Sequence, residues 1–251
     1  MDLLASFLPT DLSSLSAVVL LASSFMTSAI TAAVGLGGGV TLLAIMAMVM
    51  PTAALVPVHG VVQIGSNGGR ALVQIRHVDW MIAAWFAAGA VAGAFLGGAL
   101  AIQLPAPWLK AGIGFFVLWT VWGKVPTLQN AARKAMGVAG FVSTFLSMFF
   151  GAAGPIGGAV LATLGLSRHQ FVANQAVTAL MMHIFKVFAF GVLGFAFAPW
   201  IPLIVGMVAT GFLGTLAGSR LLGKMNEATF KKGFRIVMTL LALNLIWRAF
   251  I

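Results

Sequence analysis

Apolar residues run along this chain in long blocks, broken at regular intervals by short polar or glycine-rich stretches. Five blocks fall in the first half, at about 13–34, 39–50, 53–75, 80–101 and 107–123. After the polar connector "KVPTLQNAARK" five more follow, at about 135–150, 155–166, 170–195, 200–222 and 230–250. Most reach the length of a membrane-crossing helix. The second block of each half does not. A dozen helical residues rise only about 18 Å, short of a hydrocarbon core of about 30 Å.

The two halves repeat one another. At an offset of 116, Gly35 meets Gly151, Gly38 meets Gly154, Asn67 meets His183 and Arg70 meets Lys186. Beyond a longer loop before Pro199 the offset becomes 121. Gly93 then meets Gly214, Gly97 meets Gly218 and Lys110 meets Lys231. This reads as an internal duplication of about 110 residues. Basic residues set the orientation. Arg76, Lys124, Arg133, Lys134, Arg168, Lys224, Lys231 and Lys232 fall on one set of alternate loops, and only Lys110 and Arg248 on the other. The rich side is expected in the cytoplasm, with both termini outside. An odd number of blocks per half then inverts the second half. The expected fold is an all-α polytopic membrane protein built from two inverted-topology repeats. Each repeat has a broken or re-entrant helix pair followed by three transmembrane helices. The division is 1–12 as an N-terminal extension, 13–123 and 135–251 as the membrane repeats, and 124–134 as a cytoplasmic linker.

Composition agrees with this reading and narrows it. The chain has 251 residues, 61% hydrophobic and 7% charged, with a formal charge of +10. Its basic residues are dispersed between apolar blocks, which suits membrane topology and not nucleic acid. The start "MDLLASFLPTDLSS" lacks the cationic opening of a secretory signal and is read as mature protein. Cysteine is absent, which removes disulfides and thiolate metal sites. The only acids are Asp2, Asp11, Asp79 and Glu227, none inside an expected span, so a carboxylate proton relay or sodium site is not expected. No Walker loop, metal-ligand cluster or nucleophile–base set is apparent; no cofactor, metal or enzymatic activity is expected.

Two features carry candidate chemistry. The first is the glycine turn ahead of each short block: "GLGGGV", with Gly37, Gly38 and Gly39, and "GAAGPIGG", with Gly154, Gly157 and Gly158. Non-helical backbone at membrane depth survives where protein or a water-filled cavity surrounds it. Two such turns meeting at the midplane would present helix N-termini to an anion. The second is a polar stripe on the third block of each half. His59, Gln63, Asn67 and Arg70 lie on one helical face, and Gln175, Thr178, His183 and Lys186 on its counterpart. Polar groups in an apolar span face the bundle interior or a pathway. Arg70 and Lys186 would supply charge; Asn67, His183, Gln63 and Gln175 would orient the ligand. Arg70 is expected about two turns from its helix end. The small-residue rows Gly89, Gly93, Gly97 and Thr210, Gly214, Gly218 read as close helix packing. Trp80, Trp108, Trp200 and Trp247 read as interfacial anchors.

"GLGGGV" with Pro51, the polar third helix and "GAVAGAFLGG" resembles the sulfite exporter TauE/SafE family of membrane permeases. "GFVSTFLSMFFGAAGPIGGAVLATLGLSRHQFVANQAVTAL" followed by "GFLGTLAGSRLL" is similar to its second half. Ala152, Ala153 and Pro155 stand where that family usually keeps a glycine-rich turn. The resemblance implies a bacterial inner-membrane secondary transporter, an exporter of sulfite, sulfoacetate or another organosulfonate. Inside-negative potential favours anion exit by about 2.3 kcal/mol per charge per 100 mV, so export needs no coupling ion. Uptake would need one, with His59 or His183 as the proton carrier. The alternatives are an anion channel using the same residues and a membrane scaffold without substrate. The expected partners are a small anion and lipid.

Overall fold

The computed structural model describes residues 8, 9, 12–34, 37–123, 132–221 and 227–251. Asp2, Asp11, Gly35, Lys124, Lys224 and most of the 124–134 linker lie outside the described residues, as do the side chains of Glu227 and Lys231. Ten α-helices make up the described structure: α1 (Ser14–Val34), α2 (Gly38–Val49), α3 (Thr52–Val73), α4 (Trp80–Ala101), α5 (Ala106–Trp122), α6 (Ala135–Phe150), α7 (Gly154–Leu161), α8 (Arg168–Val192), α9 (Ile201–Leu221) and α10 (Glu227–Ala249). Stretches within α1, α4 and α8, and one spanning α9 with the short turn before it, are long and apolar enough to cross a bilayer. The polar stripe along α3 keeps that helix, of similar length, out of this group.

Local chemistry sets the boundaries. Proline closes α2, whose last residue precedes Met50 and Pro51. Asp79 caps α4 by accepting from the Met81 and Ile82 N–H groups. Ser167 and Gln170 form a reciprocal capping box at the start of α8. Gly151, at φ 72°, ends α6 in the left-handed conformation that favours glycine. The helix starts repeat at the spacing read from the sequence. Gly38 and Gly154, and Thr52 and Arg168, each lie 116 positions apart. Trp80 and Ile201, and Ala106 and Glu227, each lie 121 apart.

Packing partners repeat in the same way. α4 packs on α6 and α1 on α9, while α3 pairs with α8 and α5 with α10. The two close pairs rest on the small-residue rows. A side chain at Gly89, Gly93 or Gly140 would enter the backbone of the facing helix, as would one at Gly214 or Gly218, against Phe25 and Ala29. Outward faces are apolar: Leu15 and Met26 on α1, Phe212 and Leu213 on α9, and Leu240 and Trp247 on α10 are exposed. At one end, Asp79 ties three elements together. Its backbone N–H donates to Asn174 Oδ1 on α8, and its carboxylate pairs with Arg133 at 2.6 Å. The His77 and His169 rings lie tilted against each other, centroids 5.3 Å apart.

Three expectations need correction. The second short block is shorter still: α7 has only eight residues, because the chain turns at 162–165. Trp200 is no interfacial anchor; a 3₁₀ turn at Ala198–Trp200 folds its ring into the core, 7% exposed, whereas Trp80, Trp108 and Trp247 are exposed as expected. Arg70 lies in the last turn of α3, not two turns inside.

Candidate functional site

Side chains from α2 and α3 link the two glycine turns. Gly37 holds φ 92° at the head of α2, and the Phe234 ring of α10 covers its open face. Gly38 packs so close to α1 that a Cβ would strike the Thr27 carbonyl and the Thr31 hydroxyl. Leu43 of α2 lies against Gly151 at the α6–α7 turn.

The polar stripe of α3 organises the α2 turn. His59 Nε2 lies 3.0 Å from the Gly39 carbonyl and 3.2 Å from Gln63 Nε2. The Gln63 amide presses on Gly39, where any Cβ would overlap it. Asn67 donates to the Gln63 carbonyl at 2.8 Å, and Arg70 donates to Asn67 Oδ1 at 2.6 Å. His59, Gln63 and Asn67 are buried. Arg70 is only partly exposed, its guanidinium held against Asn67. It stands eleven residues along α3 from His59, about 16 Å at the α-helical rise. The structure therefore groups His59, Gln63 and Gly39 and leaves Arg70 at the end of the helix.

The α8 stripe organises the other turn. Gln175 donates from Nε2 to the Gly154 carbonyl at 3.3 Å, the counterpart of the His59–Gly39 contact. Gly158 faces Gln175 Oε1, and Gly157 faces Phe86 and Ser143. Thr178 is buried and donates to the Asn174 carbonyl. His183 is buried, its ring edge-on to His59 with centroids 5.9 Å apart, so the two stripes touch. Lys186 is fully buried. Its ammonium donates to the Gly151 carbonyl at 2.7 Å and to Ser147 Oγ at 3.2 Å. Gly60 makes room for it: a Cβ there would lie 3.0 Å from Lys186 Cε.

Lys186 thus sits at the carbonyl end of α6, where a cation is favoured by the helix dipole. Its partners are neutral all the same. Among the described side chains the only carboxylate is that of Asp79, and it is paired with Arg133. A buried charge without an opposite charge is costly in a low-dielectric interior.

A cavity of about 10 Å³ opens beside α7, lined by Phe86, Ser143, Gly154, Gly157, Gln175, Thr178, Ala179 and Met182. That is room for about one water. Ser143 Oγ and Gln175 Oε1 are buried there without hydrogen-bond partners. Ser143 and Ser147 on α6 are the members that the sequence reading missed. They lie four apart in "FVSTFLSMFF", the helical spacing that flags a polar face, and Thr27 and Thr31 precede them by 116.

Ten packed helices among the described residues, four of them with spans that can cross a bilayer, enclosing a buried polar seam with a lysine that faces no carboxylate, define a polytopic helical membrane protein. The sulfite exporter TauE/SafE family model matches residues 20–245, and the chain belongs to that family of membrane permeases, transporters rather than enzymes. No curated protein and no solved structure matches it.

Proposed function

We propose that this chain is a secondary transporter that exports a small sulfur-containing oxyanion or organosulfonate across the bacterial inner membrane. One observation carries the reading: Lys186 is fully buried at the α6–α7 glycine turn, bonded to Gly151 and Ser147 with no carboxylate facing it. A transported anion supplies the missing charge. It exchanges the neutral Gly151 and Ser147 contacts of the ammonium for a charge-assisted one. The Gly154 N–H, three residues after Gly151, adds one backbone donor, since Pro155 has no N–H and the Ile156 N–H already donates to the Ala153 carbonyl. The Ser143 hydroxyl lies one turn from Ser147 on the same face of α6 and extends the donor row.

A cavity of about 10 Å³ is too small for an oxyanion of four heavy atoms. The described conformation is then a closed one, and binding requires α7 to part from α8. In two oppositely oriented halves, that parting can alternate between the two sides of the membrane. The inside-negative potential drives exit by about 2.3 kcal/mol per charge per 100 mV. Export therefore runs without a coupling ion, and His59 and His183 need carry no proton.

Flux from liposomes containing the purified protein tests this reading, with sulfite, sulfoacetate, taurine, sulfate and acetate compared at fixed voltage and pH. Saturable flux that prefers the sulfur anions to acetate is expected. Preference for acetate would remove the sulfur assignment. Flux that never saturates would replace the transporter with a channel, and flux of no anion would leave a scaffold.

A further inference from the structure

The two halves share a design but differ at their turns, and the difference decides where the anion sits. At the 116-residue offset, His59 corresponds to Gln175, and each contacts the carbonyl of a glycine at the head of a short helix. Gln63 corresponds to Ala179, and there the likeness ends. The Gln63 amide fills the space at the head of α2, against Gly39 and His59. The Ala179 methyl reaches no such distance, and the cavity lies beside it.

The hydroxyl groups follow the same division. Thr27 on α1 donates to the Ser23 carbonyl at 2.7 Å, and Thr31 donates to the Thr27 carbonyl at 2.9 Å. Ser143 corresponds to Thr27, is 1% exposed, and its Oγ has no partner. Gln175 Oε1 is likewise without one; the other unpartnered buried atoms among the described residues, on Thr144, His59, His183 and Asn244, do not line this cavity. Buried polar atoms are almost always hydrogen-bonded, so two orphans lining one cavity at a helix N-terminus mark a place built for a ligand.

Resting on the transporter reading above, we propose that the α7 turn alone is the anion site: Gln63 permanently plugs the α2 turn, so each chain carries one anion. Ser143 donates to the ligand, and Gln175 accepts from it, which favours a singly protonated anion such as hydrogensulfite over one with no hydrogen to give. The Gln63 amide stands at the α2 turn as a tethered occupant of the position that the ligand takes at α7.

The test exchanges the plug. Calorimetric titration of the purified protein with sulfite is expected to give one site per chain. Ala179→Gln should weaken binding at least tenfold with the thermal melting point kept. Gln63→Ala should retain the wild-type affinity at its tightest site. Should Ala179→Gln fail to fold, Ser143→Ala, which adds no volume, should still weaken binding several-fold. Two equivalent sites in the unmodified protein would overturn the proposal. So would wild-type binding by Ala179→Gln, undiminished binding by Ser143→Ala, or binding lost in Gln63→Ala alone. Absence of binding by any sulfur oxyanion in the unmodified protein would instead fail the transporter reading itself.

Discussion

At the residue scale, single side chains and single torsions carry the heaviest loads. Gly37 holds φ 92° with the Phe234 ring 2.6 Å from where a Cβ would stand. Left-handed backbone costs an L-residue about 1–2 kcal/mol before any clash. Gly37→Ala should therefore lower stability by at least that much in a reversible melt, and an unchanged melting point would contradict the geometry. Asp79 offers a pH-dependent test outside the spans. Partial burial pushes its carboxyl up, but hydrogen bonding from Arg133, the Ile82 and Met81 N–H groups and the Arg133 charge outweigh this and hold it below its ordinary value. A depressed carboxyl contributes stability above the unfolded value, about 3.8, and loses it as pH falls through the folded value. Asp79→Asn should melt lower than the unmodified protein at pH 6, and the gap should close below pH 4. A gap independent of pH would assign the effect to capping alone. The polar stripes were legible because such residues are rare in apolar helices. Ser143 was not, since serine is common in membrane helices and its four-residue spacing from Ser147 marks a helix face without marking a site; its missing partner shows only in the structure.

At the element scale, the sequence pattern located every α-helix among the described residues, because a block of apolar residues ended by proline, glycine or a capping residue leaves little freedom. It misjudged α7, whose apolar run continues beyond the turn at 162–165 with no proline to stop it. It misjudged Trp200, since a tryptophan at a helix end can face lipid headgroups or the core, and only tertiary packing chooses. The reading of the small-residue rows as close packing holds in detail. Gly89→Val and Gly214→Val should each destabilise by about 1–3 kcal/mol or more, because the facing Gly137 and Phe25 carbonyls cannot move aside. Gly69→Ala and Gly233→Ala meet no atom within 4 Å and should leave the melting point within a degree or two. Equal melting points across the four variants would remove the packing account.

At the scale of the whole molecule, the doubled plan brings chemistry from distant positions to one place. α2 reaches the α6–α7 turn through Leu43, and α3 meets α8 through His59 and His183. The offset between halves was legible in the sequence, since unusual residues recur at it. Its consequence was only partly legible. Arg70 and Lys186 match in sequence, yet one ends its helix and the other is fully buried, because Lys186 finds the α6 carbonyls within reach. Equivalence of position is therefore not equivalence of surroundings.

The most direct measurement is efflux of labelled sulfite from proteoliposomes held at inside-negative voltage, comparing the unmodified protein with Lys186→Met. Methionine keeps most of the side-chain volume and removes the charge, so a protein with the same melting point is expected to lose at least tenfold in efflux. Efflux at the unmodified rate from that folded variant would contradict the claim that the buried ammonium is the transported anion's counter-charge.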